Sequence, residues 1–195
     1  VDQAVKIRGA ARPRAATTDA IRDACVAELT ERGYHALSME SVARRAGVGK
    51  GALYRRWPDR AAMVVAVVEE LTRILRPDLA FDADDLESDL TLFAASVDRW
   101  LHDPRIIADL VSVGVRDADF STALTAAVVA VLGPTREALH ERAARRGDPD
   151  PADAMADITG AVFWRRAVMH QDLTDGDVAQ LARRAARGAT MPQVD

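Results

Sequence analysis

Few residues in this chain are spaced for catalysis. The four histidines, His35, His102, His140 and His170, are far apart, and none opens a metal-ligand spacing. His102-Asp103 is the nearest approach to a dyad, but it falls at an expected helix end, where a histidine satisfies terminal carbonyls. The lone Cys25 lies on an apolar helix face and reads as a small buried hydrophobe. There is no phosphate-cradling glycine loop and no nucleophile elbow. No catalytic residue, metal ligand or cofactor is therefore expected, and the chain does not read as an enzyme. Its chemistry concentrates in "RRAGVGKGALYRRWPDR", residues 44–60, which holds six basic side chains, one acid and three glycines. Surface helices ordinarily mix both charge signs and avoid glycine, so this segment points to a polyanion partner.

The charge of the whole chain repeats that asymmetry. Residues 1–60 carry 12 Lys+Arg against 7 Asp+Glu, and the remainder 14 against 23, within a formal net charge of −4. A basic surplus confined to the first third suggests a polyanion at that end only. With 195 residues, nearly half of them apolar, the chain can build a sizeable core. A single cysteine excludes an internal disulfide framework and fits a reducing compartment. No apolar run approaches the roughly 20 residues of a membrane span, and the N-terminus does not read as a signal peptide.

Alanine and arginine dominate and β-branched alternation is nearly absent, so an all-α fold of about nine helices is expected. Residues 1–16, with Lys6, Arg8, Arg12 and Arg14, read as a flexible basic arm. Thr17 or Thr18 can cap a first helix, with Gly33 as its stop. Ser38 caps a second, "MESVARRA", with Met39, Val42, Ala43 and Ala46 inward, and Gly47 ends it. A third short helix is expected over 49–57, stopped by Pro58, with Leu53 and Trp57 inward. Asp59 caps a fourth, which continues to Pro77. After an acidic stretch at 78–85, further helices are expected near 86–102, 105–114, 118–146, 152–170 and 175–188, with Gly133-Pro134 kinking or splitting the longest.

Two short helices joined by a glycine-containing turn are the helix-turn-helix layout, whose second helix enters the major groove of DNA. Such a helix needs little bulk where it meets DNA, which Gly49, Gly51 and Ala52 provide. Its N-terminal N–H groups favour phosphate. Lys50, Arg55 and Arg56 supply charge, and Tyr54 a hydroxyl on a rigid ring. The motif spans about 38–57 within a DNA-binding domain at 17–60. A connecting helix (61–77) and a C-terminal regulatory and dimerisation domain (78–195) follow.

From about Thr17 to Leu75 the sequence resembles the DNA-binding domain of the TetR family of transcriptional regulators. The resemblance is carried by Gly33-Tyr34, "SMESVARRAGV", "GKGALYRRW" and "PDRAAMV". It implies that Ser38 holds a phosphate and that Lys50 and Gly51 meet the backbone or a base edge. It also implies that Tyr54 binds phosphate beside Arg55 and Arg56, and that Arg60 takes another phosphate. Arg44 and Arg45 are neighbours of the same face. A guanidinium fork matches the O6/N7 edge of guanine, so Arg55 is the expected base reader. Two departures bear on the operator. Gly49 stands where the family usually has Ser or Thr, and Ala52 stands where a polar residue is commoner.

Beyond residue 75 the resemblance is limited to helical character and length. It implies a homodimer through the last two helices, with Met155, Ile158, Val162, Met169, Val178, Leu181 and Ala185 as interface candidates. On the former helix a second apolar stripe, Ala156, Phe163, Trp164 and Ala167, lies on another side. It also implies a ligand pocket whose occupation shifts the fourth helix. The candidates are Phe93, Val97, Trp100, Ile106, Leu110, Phe120, Leu124, Phe163 and Trp164, with Ser96 and Thr159 as polar groups. Such a lining suits an apolar or aromatic small molecule. The expectation is a cytoplasmic, bacterial, homodimeric regulator, nucleoid-associated when bound to DNA. It would most simply be a repressor released from a palindromic operator by its ligand. The alternatives are a TetR-like activator, or a small-molecule-binding helical protein with impaired DNA reading. High Ala and Arg content with only two lysines fits a high-GC bacterium.

Overall fold

A computed structural model describes residues 14–75, 84–101 and 103–189; the side chains of a few helix-end residues are outside that description. Among the described residues there are nine α-helices, one turn of π-helix and no strand. The chain divides into two compact units, Val1–Met63 and Val64–Asp195.

The first unit contains α1 (Arg14–Ala36), α2 (Met39–Ala46), α3 (Lys50–Tyr54) and the start of α4 (Arg60–Leu75). Helix α1 begins one turn before the expected threonine cap, so residues 14–16 of the expected arm are helical. Residues 1–13 lie outside the described residues. Ile21, Cys25 and Leu29 bury one face of α1. Gly33 adopts φ 73°, ψ 170°, which breaks the helical path inside the last stretch of α1 and lets Tyr34 turn inward. Burial pushes the Cys25 thiol up to about 12, which leaves it inert at neutral pH.

The second unit continues α4 and adds α5 (Leu86–Trp100), α6 (Pro104–Arg116), α7 (Ala118–Arg146), α8 (Ala152–Phe163) and α9 (Asp175–Ala189). Asp85, Asp103 and Asp117 each accept an N–H of the helix that follows, from Ser88 (2.7 Å), Arg105 (3.1 Å) and Phe120 (3.0 Å). Such a cap contributes about 1 kcal/mol. Helices α5, α8 and α9 close around Leu90, Phe93, Ile158, Val162, Val178 and Ala182, with Leu139 of α7 joining them. Gly133-Pro134 neither splits nor ends α7, which runs on as one element of 29 residues. By length and composition α7 could cross a bilayer, yet its most apolar 18-residue window, 17% buried, has a mean hydropathy of only 1.3. That modest value reflects alanine and threonine rather than large apolar side chains, so it is weak evidence for a membrane span. Two groups of buried or half-buried charges tie the helices together. Asp89, fully buried, meets Arg142 (3.3 Å) and Arg146 (2.8 Å), and Asp98 receives the Arg166 fork at 2.7 and 2.9 Å.

Candidate nucleic-acid interface and apolar cavity

The α2–α3 pair is set by short-range bonds. Ser38 takes extended geometry and its Oγ accepts from Ser41 N (3.0 Å), while Ser41 Oγ accepts from Ser38 N (3.2 Å). This reciprocal box fixes the start of α2. At the other end Gly47 is left-handed (φ 67°, ψ 33°), and Val48 N reaches back to Ala43 O at 3.0 Å. That reversal sends the chain into α3.

Helix α3 is shorter than the expected 49–57. It ends at Tyr54, and Arg56 N and Trp57 N both fold back onto Leu53 O, at 2.8 and 2.9 Å. Pro58 keeps Trp57 from continuing the helix, so the chain tightens into a turn first. Leu53, wholly buried, anchors the element. Gly49, Gly51 and Tyr54 stand exposed, and Ala52 is half-buried. A Cβ at Gly49 would meet nothing within 4 Å, so the absent capping hydroxyl leaves open space there.

The six basic side chains of residues 44–60 divide by what they touch. Arg45 turns to α1, with its Nε donating to Glu28 at 2.9 Å and its terminal nitrogens to Glu31. These bonds hold the Glu31 carboxyl below its ordinary range. Arg60 donates to the carbonyls of Tyr34, His35 and Leu37 at 3.5, 3.1 and 3.4 Å and stacks 4.7 Å from the Tyr34 ring centre. It thereby satisfies the backbone that Gly33 disrupts. Arg56 donates to Thr18 Oγ1 at 2.9 Å and lies 5.9 Å from the Trp57 ring centre. Lys50 contacts Glu40 Oε1 and lies 5.4 Å from the Tyr54 ring centre. The Lys50 bond holds the Glu40 carboxyl below its ordinary range, and Lys50 itself is raised in return. The side chains of Arg44 and Arg55, both exposed, have neither a hydrogen bond nor an ion pair to any described residue. The structure thus gathers Ser38, Arg44, Gly49, Lys50, Gly51, Ala52, Tyr54 and Arg55 around α2 and α3. It uses Arg45 and Arg56 to fasten this region to α1, and Arg60 to fasten the start of α4 to the end of α1.

In the second unit the structure corrects the reading of α8. Met155, Ile158, Val162, Val178 and Ala185 are buried in the unit's own core, and Leu181 packs against it. The expectation set the stripe of Met155, Ile158 and Val162 toward a second copy, whereas these residues face the unit's own core. The accessible stripe is the other one: Ala156, Thr159 and Gly160 are exposed, Phe163 is half-buried and Trp164 is 57% exposed, while Ala167 of that stripe is buried. Met169 is exposed in the turn that follows the π-helical residues Trp164–Val168.

Three of the nine pocket candidates come together. Trp100, Leu110 and Leu124 line a cavity of about 200 Å³ with Val68, Ile107, Val111, Thr125, Val128 and Val129. Phe93 and Val97 belong to the core, Phe120 is buried, Phe163 and Trp164 lie on α8 and its continuation, and Ile106 is half-buried. The Trp100 indole donates to Thr72 Oγ1 (2.9 Å), which itself donates to Val68 O (2.7 Å), so the indole N–H is already spent. Ser96 and Thr159 likewise donate to carbonyls of their own helices. The valine lining was missed in the sequence because valine in a helix reads as core. Glu40 was missed because a first-turn acid reads as a helix stabiliser.

Residues 21–67 match the family model described as "Bacterial regulatory proteins, tetR family". An HTH-type transcriptional regulator of Mycobacterium bovis, itself uncharacterized, is 32% identical over 96 residues, 49% of this chain and 50% of that protein. The chain thus spans about half the length of that relative. The HTH-type regulator YdeS of Bacillus subtilis, also uncharacterized, is 25% identical over 186 residues, covering 91% of this chain and 92% of that one. A putative TetR-family regulator from Rhodococcus shares the fold with a TM-score of 0.66 at 19% identity, over 89% of this chain and 98% of its own. With the capped α2, the left-handed Gly47 turn and the short α3 already in place, residues 21–67 are identified as a segment of the TetR family of bacterial regulatory proteins, and the chain as a whole is similar in fold to regulators of that family.

Proposed function

We propose that this protein is a homodimeric, sequence-specific DNA-binding regulator that acts as a repressor and leaves a palindromic operator when a small apolar ligand binds. The observation that carries the reading is the α2–α3 face. A short helix without bulk at its start offers Lys50, Tyr54 and Arg55 outward, beside Arg44, on a support fastened to α1 by Arg45, Arg56 and Arg60. Arg55 reads guanine, Ser38, Arg44, Lys50 and Tyr54 take phosphates, and Gly49, Gly51 and Ala52 allow close approach.

The second unit supports the regulatory half of the reading. Its 200 Å³ cavity is walled almost entirely by apolar side chains, with Thr125 as the polar lining residue, which suits an uncharged ligand. The accessible apolar stripe of α8 suits a second copy, as paired half-sites require. A ligand that binds the DNA-incompetent dimer more tightly weakens DNA binding by the same coupling free energy. We place the protein in the bacterial cytoplasm, at the nucleoid when bound.

Selection of random duplex DNA by the purified protein, followed by titration of the winner at several salt concentrations, tests the proposal. A palindromic winner bound by two subunits at nanomolar order is the expected result. No enriched sequence would overturn it.

A further inference from the structure

Glu40 is paired with the first residue of α3. It occupies the first turn of α2, half exposed, with its Oε1 on Lys50 Nζ; Lys50 is 54% exposed. The Tyr54 ring flanks the same ammonium at 5.4 Å from its centre. In the free protein Lys50 therefore already holds an anion, at the position where the proposed function needs a backbone phosphate. Arg44 and Arg55 on the same face hold none among the described residues.

We propose that Glu40 is an internal competitor for DNA: its carboxylate occupies Lys50 in the free protein and is exchanged for a phosphate on binding. The inference rests on the DNA-reading function proposed above. The exchange has a measurable consequence. When an unpaired cation meets a phosphate, the DNA releases about 0.9 of a counterion, and affinity falls with salt accordingly. When Lys50 leaves Glu40 for a phosphate, the DNA still gives up a counterion, but the freed carboxylate loses its partner beside a polyanion and draws cations toward it. The second effect offsets part of the first, so Lys50 contributes a contact with reduced salt dependence. Arg44 and Arg55 contribute both in full. Glu40 thus limits affinity at low salt and makes binding less sensitive to ionic strength. A purely structural Glu40, stabilising the start of α2, would alter thermal stability and leave the salt slope alone.

The test is fluorescence anisotropy with a labelled pool of random duplexes, about 30 base pairs or three helical turns long, between roughly 50 and 200 mM KCl. It compares wild type, Glu40→Gln, Lys50→Met and the double variant, each checked for native helix content by circular dichroism. Glu40→Gln is expected to bind more tightly at low salt, with a log–log slope steeper by up to about 0.9 per bound subunit. At that upper end, roughly 3.5-fold more affinity is lost per subunit across the salt range than in wild type. The double variant is expected to return to the wild-type slope. Equal slopes for wild type and Glu40→Gln would overturn the inference while leaving DNA binding intact. Weaker binding by Glu40→Gln at every salt concentration would also overturn it and point to a carboxylate accepting from a base, as from the cytosine amino group. Absence of salt-dependent binding by the wild type would remove the DNA-reading function itself and this inference with it.

Discussion

The two units use arginine in opposite ways. In the second unit Arg142, Arg146 and Arg166 turn inward to Asp89 and Asp98, and their side chains are 11–22% exposed. In the first, Arg44 and Arg55 stand in solvent without a partner among the described residues, and Arg45 lies between these extremes on Glu28 and Glu31. What separates the two uses is the carboxylate: where a buried acid has no other way to be neutralised, the guanidinium goes to it. Where none is within reach, the charge is left for a partner outside the chain.

The comparison breaks most visibly at Asp89. Asp89→Ala takes the shared carboxylate from two partly buried guanidinium groups, of which Arg146 keeps Asp148 at 2.6 Å, and the second unit is expected to lose about 3 kcal/mol. Hydrogen exchange should then quicken in α5 and α7 while α1 and α2 keep their protection. Equal loss in both units would contradict the division. Next comes Arg55→Ala, expected to cost about 1–3 kcal/mol of operator binding and to relax preference at one base pair, with thermal stability unchanged. Arg45→Ala sharpens the contrast from the other side. It leaves the Glu28 carboxylate buried, with Arg32 at 3.8 Å as its remaining ion pair among the described residues, and should cost about 1–2 kcal/mol of first-unit stability. Base preference should be kept, and denaturant midpoints together with a repeated DNA selection separate the two variants. Arg44→Ala is expected to lower the salt slope by about one per subunit, uniformly across sequences.

The smallest effect is that of pH. Glu31 and Glu40 in the first unit, and Asp85, Asp150 and Asp177 in the second, have folded-state pKa values lowered from 4.5 and 3.8 respectively. The chief causes are bonds from Arg45, Lys50, Ser88 N–H, Ala152 N–H and Thr174 in turn. A depressed carboxylate stabilises the fold above its unfolded pKa, and that contribution is lost as pH falls through the folded value. Stability should be flat from neutrality to near pH 5 and fall below it. Urea midpoints against pH check this, and Asp85→Asn should flatten the second unit's acid limb slightly; an unchanged limb would exclude the cap as a contributor.

Much of the site was legible because its determinants are local. The Ser38 box, the Gly47 reversal and the Asp59 bond to Ala62 N at 2.8 Å all act within a few residues, and each was recognisable by residue type and spacing. The end of α3 was misjudged by three residues, since how tightly a chain turns before proline depends on what Leu53 and Trp57 pack against. Which arginines remain free was not legible at all. Arg44 and Arg45 are neighbours of identical type, and only the position of Glu28 and Glu31 on α1 tells them apart.

By itself, then, the sequence determined the helical class, the capped short helix, the glycine turn and the basic face. These follow from backbone propensities and bonds between near neighbours. The tertiary structure alone decided which stripe of α8 is core, which three of nine large apolar residues border a cavity, and which cations are spent on internal acids. The reason is range. Arg146 meets Asp89 across 57 residues of chain and Arg166 meets Asp98 across 68, and no periodicity within one helix records what a distant helix will place against it.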